Sequence, residues 1–101
     1  MALKSVEWCG DSRKRIREFP AQVRHGVGVA LMQAQFGGKA ENAKPLHGFG
    51  GAGVLEVIEN HHGNTYRAIY TVRLRHAVYV LHCFQKKSPK GGKRCRSSMQ
   101  N

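Results

Sequence analysis

Asn64-Thr65-Tyr66-Arg67-Ala68-Ile69-Tyr70-Thr71-Val72-Arg73 and Ala77-Val78-Tyr79-Val80-Leu81-His82-Cys83-Phe84-Gln85, separated by Leu74-Arg75-His76, are the segments that decide the fold. Both are rich in β-branched and aromatic residues, and both alternate with period two, the pattern of strands. In the first, Tyr66, Ala68, Tyr70 and Val72 share one face, and Arg67, Ile69, Thr71 and Arg73 share the other. In the second, alternation sets Val78, Val80, His82 and Phe84 against Tyr79, Leu81 and Cys83. A third strand, Val54–Glu59, precedes them across His61-His62-Gly63-Asn64. Connections this short predict an antiparallel meander.

The N-terminal half supplies what covers that sheet. Leu3–Trp8 alternates and predicts a short strand with Val6 and Trp8 inward. Asp11 or Ser12 can cap a following helix, since either side-chain oxygen can accept a free first-turn N–H. That helix would turn Ile16 and Phe19 inward and Arg13, Lys14, Arg15 and Arg17 outward. Pro20 suits the first turn of a second helix, whose stripe is Val23, Val27, Ala30, Leu31 and Ala34. Gly26 and Gly28 weaken this helix by roughly 1 kcal/mol each relative to Ala, so tertiary packing must hold it. Gly37-Gly38 should end it. Residues 39–53 read as a polar, glycine-rich loop. The expected class is α+β, one domain over residues 1–88, with a basic, mobile tail over 89–101. At 101 residues the chain has room for one core.

Charge is distributed unevenly. Residues 1–59 hold 8 Lys and Arg against 6 Asp and Glu, whereas residues 60–101 hold 9 and none, so the two parts carry +2 and +9 of the formal +11. A sheet that delivers fixed cations to one end suits a polyanion, and nucleic acid is the first candidate. A hydrophobic fraction of 41% argues against wholesale disorder despite a mean hydropathy of -0.48. Cys9, Cys83 and Cys95 form an odd set without C-x-x-C spacing, which points away from a disulfide framework and toward a reducing cytoplasm. Met1–Ser5 opens no apolar targeting segment, and no run approaches the ~18 apolar residues of a membrane span.

Each candidate site residue has two readings. Arg67 is either an edge arginine whose stem covers the sheet, or a planar cation that grips a phosphate through two N–H groups. Lys86 and Lys87 either blunt a strand end or screen a phosphodiester beside the arginine. Lys44, before Pro45, is either a loop lysine or a further phosphate contact. His82 is either a packed histidine or a group that transfers a proton near neutral pH. Phe84 is either core or a ring on which an unpaired base stacks. Arg73 and Lys90 extend the basic surface. The six histidines show no H-x-x-x-H spacing, so no metal or other cofactor is expected. Gly48, Gly50, Gly51 and Gly53 lack the preceding strand and following Gly-Lys-Ser/Thr of a phosphate loop.

Four segments carry a family resemblance: Lys44-Pro45-Leu46-His47-Gly48-Phe49-Gly50, Gly53-Val54-Leu55-Glu56, Tyr66-Arg67-Ala68-Ile69-Tyr70 and Val80-Leu81-His82-Cys83-Phe84-Gln85-Lys86-Lys87-Ser88. In order and spacing they resemble the RelE/ParE superfamily of bacterial toxins, specifically its phage-related HigB-type branch. The resemblance implies a strand and a helical hairpin packed on an antiparallel sheet of about four strands. It also implies a metal-independent endoribonuclease that cuts mRNA on the ribosome, and a helix-turn-helix antitoxin that silences it. The toxin–antitoxin complex would also bind operator DNA. The family's strand arginine falls on Arg67, its basic strand end on Lys86 and Lys87, and its lysine before the second strand on Lys44; His82 and Phe84 match the Leu-His-x-Phe pattern. Two departures stand out. Val57 and Ile58 occupy positions where many relatives have an arginine, and the sequence after Ser88 lacks the family's C-terminal helix. The competing expectations are a ParE-like inhibitor of DNA gyrase and a non-catalytic basic binding module. The catalytic reading requires Arg67 and the lysine pair to converge on one pocket, with no carboxylate neutralising the guanidinium.

Overall fold

The computed structural model describes residues 3–46, 53–72 and 74–87, with Lys87 represented by its backbone. The elements run β1 (Ser5–Trp8), α1 (Ser12–Arg17), α2 (Ala21–Gln35), β2 (Ala43–Pro45), β3 (Val54–His61), β4 (Asn64–Thr71) and β5 (Ala77–Lys87). They form one five-stranded sheet in the order β1-β5-β4-β3-β2, with both helices packed on one face. Arg73, Lys90, the glycines at 48, 50 and 51, and the tail from Ser88, where the family's C-terminal helix was expected to be absent, lie outside the described residues. Among the described residues no helix is long and apolar enough to cross a membrane.

The antiparallel meander β3-β4-β5 forms as the short connections require. Its first turn places His62 at φ 50° and Gly63 at φ 80°, the doubly left-handed pair of a two-residue hairpin. Two features depart from the sequence reading. The predicted loop contains β2, which pairs antiparallel with β3. The sheet is also mixed rather than antiparallel, because β1 lies parallel to β5 with Ser5 opposite Ala77 and Trp8 opposite Val80. Non-local packing decides that neighbour, and no turn signal encodes it.

Helix α2 follows its sequence closely. Val23, Val27, Ala30, Leu31 and Ala34 are all buried, as the 3.6-residue period requires. Pro20 precedes the first turn rather than joining it, at φ -57°. At the other end Gly37 takes φ 90°; its N–H donates to the Ala34 carbonyl at 3.0 Å, and the Gly38 N–H donates to that of Gln33 at 2.8 Å. This double bond pattern closes a helix whose last carbonyls would otherwise be unpaired. In α1, Ile16 is buried and Arg13, Lys14, Arg15 and Arg17 face solvent. Neither expected cap bond forms. The Asp11 carboxylate accepts from Arg15 Nε at 2.9 Å, which holds it below the usual carboxylate range. The fully buried Ser12 hydroxyl donates to the Val80 carbonyl at 3.1 Å and ties α1 to β5.

The principal correction lies in β5. Ile69 pairs with His82, but Tyr70 pairs with Val80, so Leu81 is an extra, unpaired residue. Such a bulge reverses the phase of every later side chain. Val78 and Val80 are in the core, yet so is Cys83, while His82 faces solvent. The row Ala43, Val57, Ala68 and Cys83 crosses four strands and is almost completely excluded from water. His82 and Phe84 therefore leave the face they were expected to share with Val78 and Val80. Burial pushes the Cys83 thiol up to about 11, and the Tyr70 hydroxyl, also buried, up to about 12.

Two expected outcomes follow from this packing. Gly28 faces open space, so Gly28→Ala should raise stability by about 1 kcal/mol in urea unfolding through helix propensity. A Cβ on Gly26 would lie 2.5 Å from the Glu59 carboxylate, which Asn42 Nδ2 holds at 2.7 Å, so Gly26→Ala should lack that gain. Cys83, buried as a thiol, should resist alkylation in the folded protein at pH 8 while Cys9, half-exposed, reacts. Peptide mapping that finds Cys83 labelled as fast as Cys9 would overturn the bulge.

Candidate nucleic-acid interface

The sheet face opposite the helices is built in cross-strand rows. Lys44, Glu56, Ile69 and His82 form one row across β2, β3, β4 and β5. Ile58, Arg67 and Phe84 form the next, and Asn60, Thr65 and Lys86 the third. Directly opposed residues point to the same side of a sheet, with strands about 4.8 Å apart. Lys44, Arg67, His82, Phe84 and Lys86 therefore share one surface. Arg67 and Lys86 are diagonal neighbours on adjacent strands, about 7–8 Å apart at their backbones. Lys44 lies three strand spacings from His82, about 14 Å. The backbone of Lys87 pairs with Asn64 at the end of β5.

Arg67 fails one of the conditions set for the catalytic reading: its guanidinium has a carboxylate partner. Nη1 donates to Glu56 Oε2 at 2.9 Å, with the Arg67 side chain 25% and the Glu56 side chain 13% exposed. The count of acidic groups after Glu59 missed this partner, because the carboxylate comes from the preceding strand. The hairpin register carries the signal: with the turn at His62-Gly63, Ile58 opposes Arg67 and Glu56 sits on its diagonal. Arg67 Nε is buried and has no partner among the described residues. A buried N–H without an acceptor is costly, and this one is shielded from solvent.

Lys44, Pro45, Leu46, Glu56, Ile58 and Arg67 line a groove of about 450 Å³ on this face. Its floor is apolar, and its charged groups are a lysine and a guanidinium–carboxylate pair. Beside it, the His82 and Phe84 rings stack with centroids 5.1 Å apart and planes 27° apart. Phe84 is half-buried and His82 exposed, so the aromatic pair stands on the sheet next to Arg67. Such a surface offers two contacts that single-stranded nucleic acid uses: cations for phosphate and a flat ring for a base. Among the described residues no group of three or more His, Cys, Asp and Glu is placed to hold a metal ion.

Comparison with known proteins supplies the family. The model of the phage derived protein Gp49-like family (DUF891) matches residues 14–97. The match takes in residues 89–97, which the sequence reading had set apart from the family. Among solved structures, the chain is similar to one from the RelBE2 toxin–antitoxin complex of Mycobacterium tuberculosis, at 20% identity and a TM-score of 0.49, over 87% of this chain and 97% of that one. No curated protein matches the sequence significantly. With most of its length matched by the family model, the chain belongs to the phage-derived Gp49-like family.

Proposed function

We propose that this protein is the toxin of a toxin–antitoxin pair and that it cleaves mRNA on the ribosome. One observation carries the reading beyond family membership: the bulge at Leu81 turns His82, Phe84 and Lys86 onto the surface that holds Arg67 and Lys44. Without it, His82 and Phe84 would point into the core and the basic face would lose its aromatic pair.

The chemistry suited to these groups is transesterification. The 2′-oxygen of one nucleotide attacks the adjacent phosphorus, its proton leaves to a base, and the 5′-oxygen departs with a proton from an acid. The products are a 2′,3′-cyclic phosphate and a 5′-hydroxyl. RNA supplies its own nucleophile, so this route needs neither a metal ion nor an attacking water. Arg67 is assigned to the phosphorane, whose developing negative charge its guanidinium would meet beside Glu56. In this reading Glu56, held against that guanidinium, accepts the 2′-proton, and His82 or a lysine at the end of β5 returns one to the leaving oxygen. Lys86 and Lys87 add charge at that end, Lys44 at the far side of the groove, and Phe84 backs a stacked base through His82. Arg73 and Lys90, outside the described residues, are further RNA contacts in this reading. Much of the rate would come from positioning by the ribosome, so free RNA should be a poor substrate.

The implied partners are the ribosome with its mRNA and a helix-turn-helix antitoxin, in the cytoplasm, with the toxin–antitoxin complex binding operator DNA. The Arg67–Glu56 pair favours one competing reading, a face that binds RNA without cutting it, because the cation is already partly neutralised. Primer extension on programmed ribosomes separates the two. Wild type should cut, Arg67→Ala should cut about 100- to 1,000-fold more slowly, and Glu56→Gln should also lose rate. Full cleavage by Arg67→Ala would refute the catalytic assignment. Intact mRNA with inhibited DNA supercoiling would move the target to gyrase, and neither effect would leave a binding module.

A further inference from the structure

Two ion pairs hold carboxylates among the described residues, and their settings differ. Asp11 and Arg15, four positions apart at the start of α1, are each 52% exposed. Glu56 and Arg67 come from neighbouring strands and sit mostly covered, 2.9 Å apart, in the groove floored by Pro45, Leu46 and Ile58. Water and salt screen the first pair far more than the second. Lys44 faces Glu56 directly across β2 and β3, yet the carboxylate closes on Arg67 instead. A guanidinium grips an anion through two N–H groups at once, either Nη1 with Nη2 or Nε with Nη2. Here Nη1 is committed to Glu56 and Nε is covered, so each edge has one nitrogen out of reach. The cation at the centre of the basic face is thus closed in the free protein.

We infer that Glu56 masks Arg67 against the phosphates of RNA at rest and releases it when the 2′-proton arrives. A phosphodiester carries one negative charge, so to reach the guanidinium it must displace an anion of equal charge that is already in place. RNA therefore meets this face through Lys44, Lys86 and the His82–Phe84 rings, and finds the central cation occupied. The release step rests on the cleavage proposed above. The O2′–H bond breaks, its proton goes to a Glu56 carboxylate oxygen, and O2′ bonds to phosphorus. The P–O5′ bond then breaks, and the leaving oxygen takes a proton from the acid. Once protonated, Glu56 is neutral, so its hold on Arg67 falls in the same step that gives the phosphorane its second negative charge. The guanidinium thus favours the transition state over the bound substrate, which is the condition for acceleration. Masking also lets the protein ignore free RNA, because only a 2′-oxygen held in line with its phosphorus delivers the proton.

The test measures binding apart from cleavage. It uses the full-length chain and a fluorescein-labelled single strand of twelve nucleotides, methylated at every 2′-oxygen so that no proton can be transferred. Glu56→Gln, which has the shape of the protonated acid, should bind this RNA about tenfold more tightly than wild type by fluorescence anisotropy. In an Arg67→Ala background the same change should alter affinity less than twofold, since no guanidinium is left to release. Glu7→Gln removes an equal charge from the same side of the sheet, two strands from Arg67, and should also alter affinity less than twofold. On programmed ribosomes Glu56→Gln should cut unmodified mRNA more slowly while binding more tightly, and tighter binding with undiminished cleavage would refute the release step. No gain for Glu56→Gln would overturn the inference. So would an equal gain in the Arg67→Ala background or from Glu7→Gln, since the carboxylate would then repel RNA only through its field. If wild type cuts and Glu56→Gln binds no better, masking fails and the cleavage reading stands. If wild type cuts nothing while the affinities behave as expected, the cleavage reading fails and masking stands.

Discussion

One unpaired residue organises this protein. With Leu81 outside the ladder, β5 presents valines to the core before the bulge and a cysteine after it. The two ends of a single strand thereby serve opposite needs. The first half seals the helices against the sheet and carries β1, while the second half delivers His82, Phe84 and Lys86 to the outer face. An unbulged strand could hold either Val80 or Cys83 in the core, but not both, since they are three positions apart and alternation has a period of two. The four-strand row ending in Cys83 holds the bulge in place, because unwinding it would put an imidazole where the thiol packs.

The outer face combines attraction with restraint. Arg67 is the cation nearest its centre, and Glu56 engages it in a half-buried pair. Such a pair contributes little net stability, since desolvation offsets most of the attraction, but it fixes the direction of the guanidinium. A fixed guanidinium loses little entropy when an anion arrives, which matters where a developing charge must be met in place. The same carboxylate lowers the local positive charge, so the long-range field of this face falls to Lys44 and Lys86, which pair with no carboxylate among the described residues.

How legible this was depended on the range of each interaction. The α2 stripe was fully readable, since its five buried residues repeat at the helical period and Gly37-Gly38 marks the stop. The hairpin at His62-Gly63 was readable for the same local reason, and with it the Glu56 diagonal that simple charge counting overlooked. The bulge was not readable. Val78 to Phe84 alternates without a break, and only the register against β4 shows that one residue is skipped. Nor was the partner of β1, which depends on contacts between distant segments. Thus the candidate residues were visible as types, while the face they share had to be seen in three dimensions.

The parallel pairing of β1 with β5 has a further consequence for how the chain comes to be. Ser5, among the first residues made, has its permanent neighbour in Ala77, more than two thirds of the chain away. During synthesis the opening strand must wait, with Trp8 and Val6 uncovered, until nearly all the protein has left the ribosome. Because β5 both receives that strand and displays His82 and Lys86, closure of the sheet and assembly of the basic surface are one late event. A nascent chain therefore lacks the finished basic surface until its synthesis is almost complete.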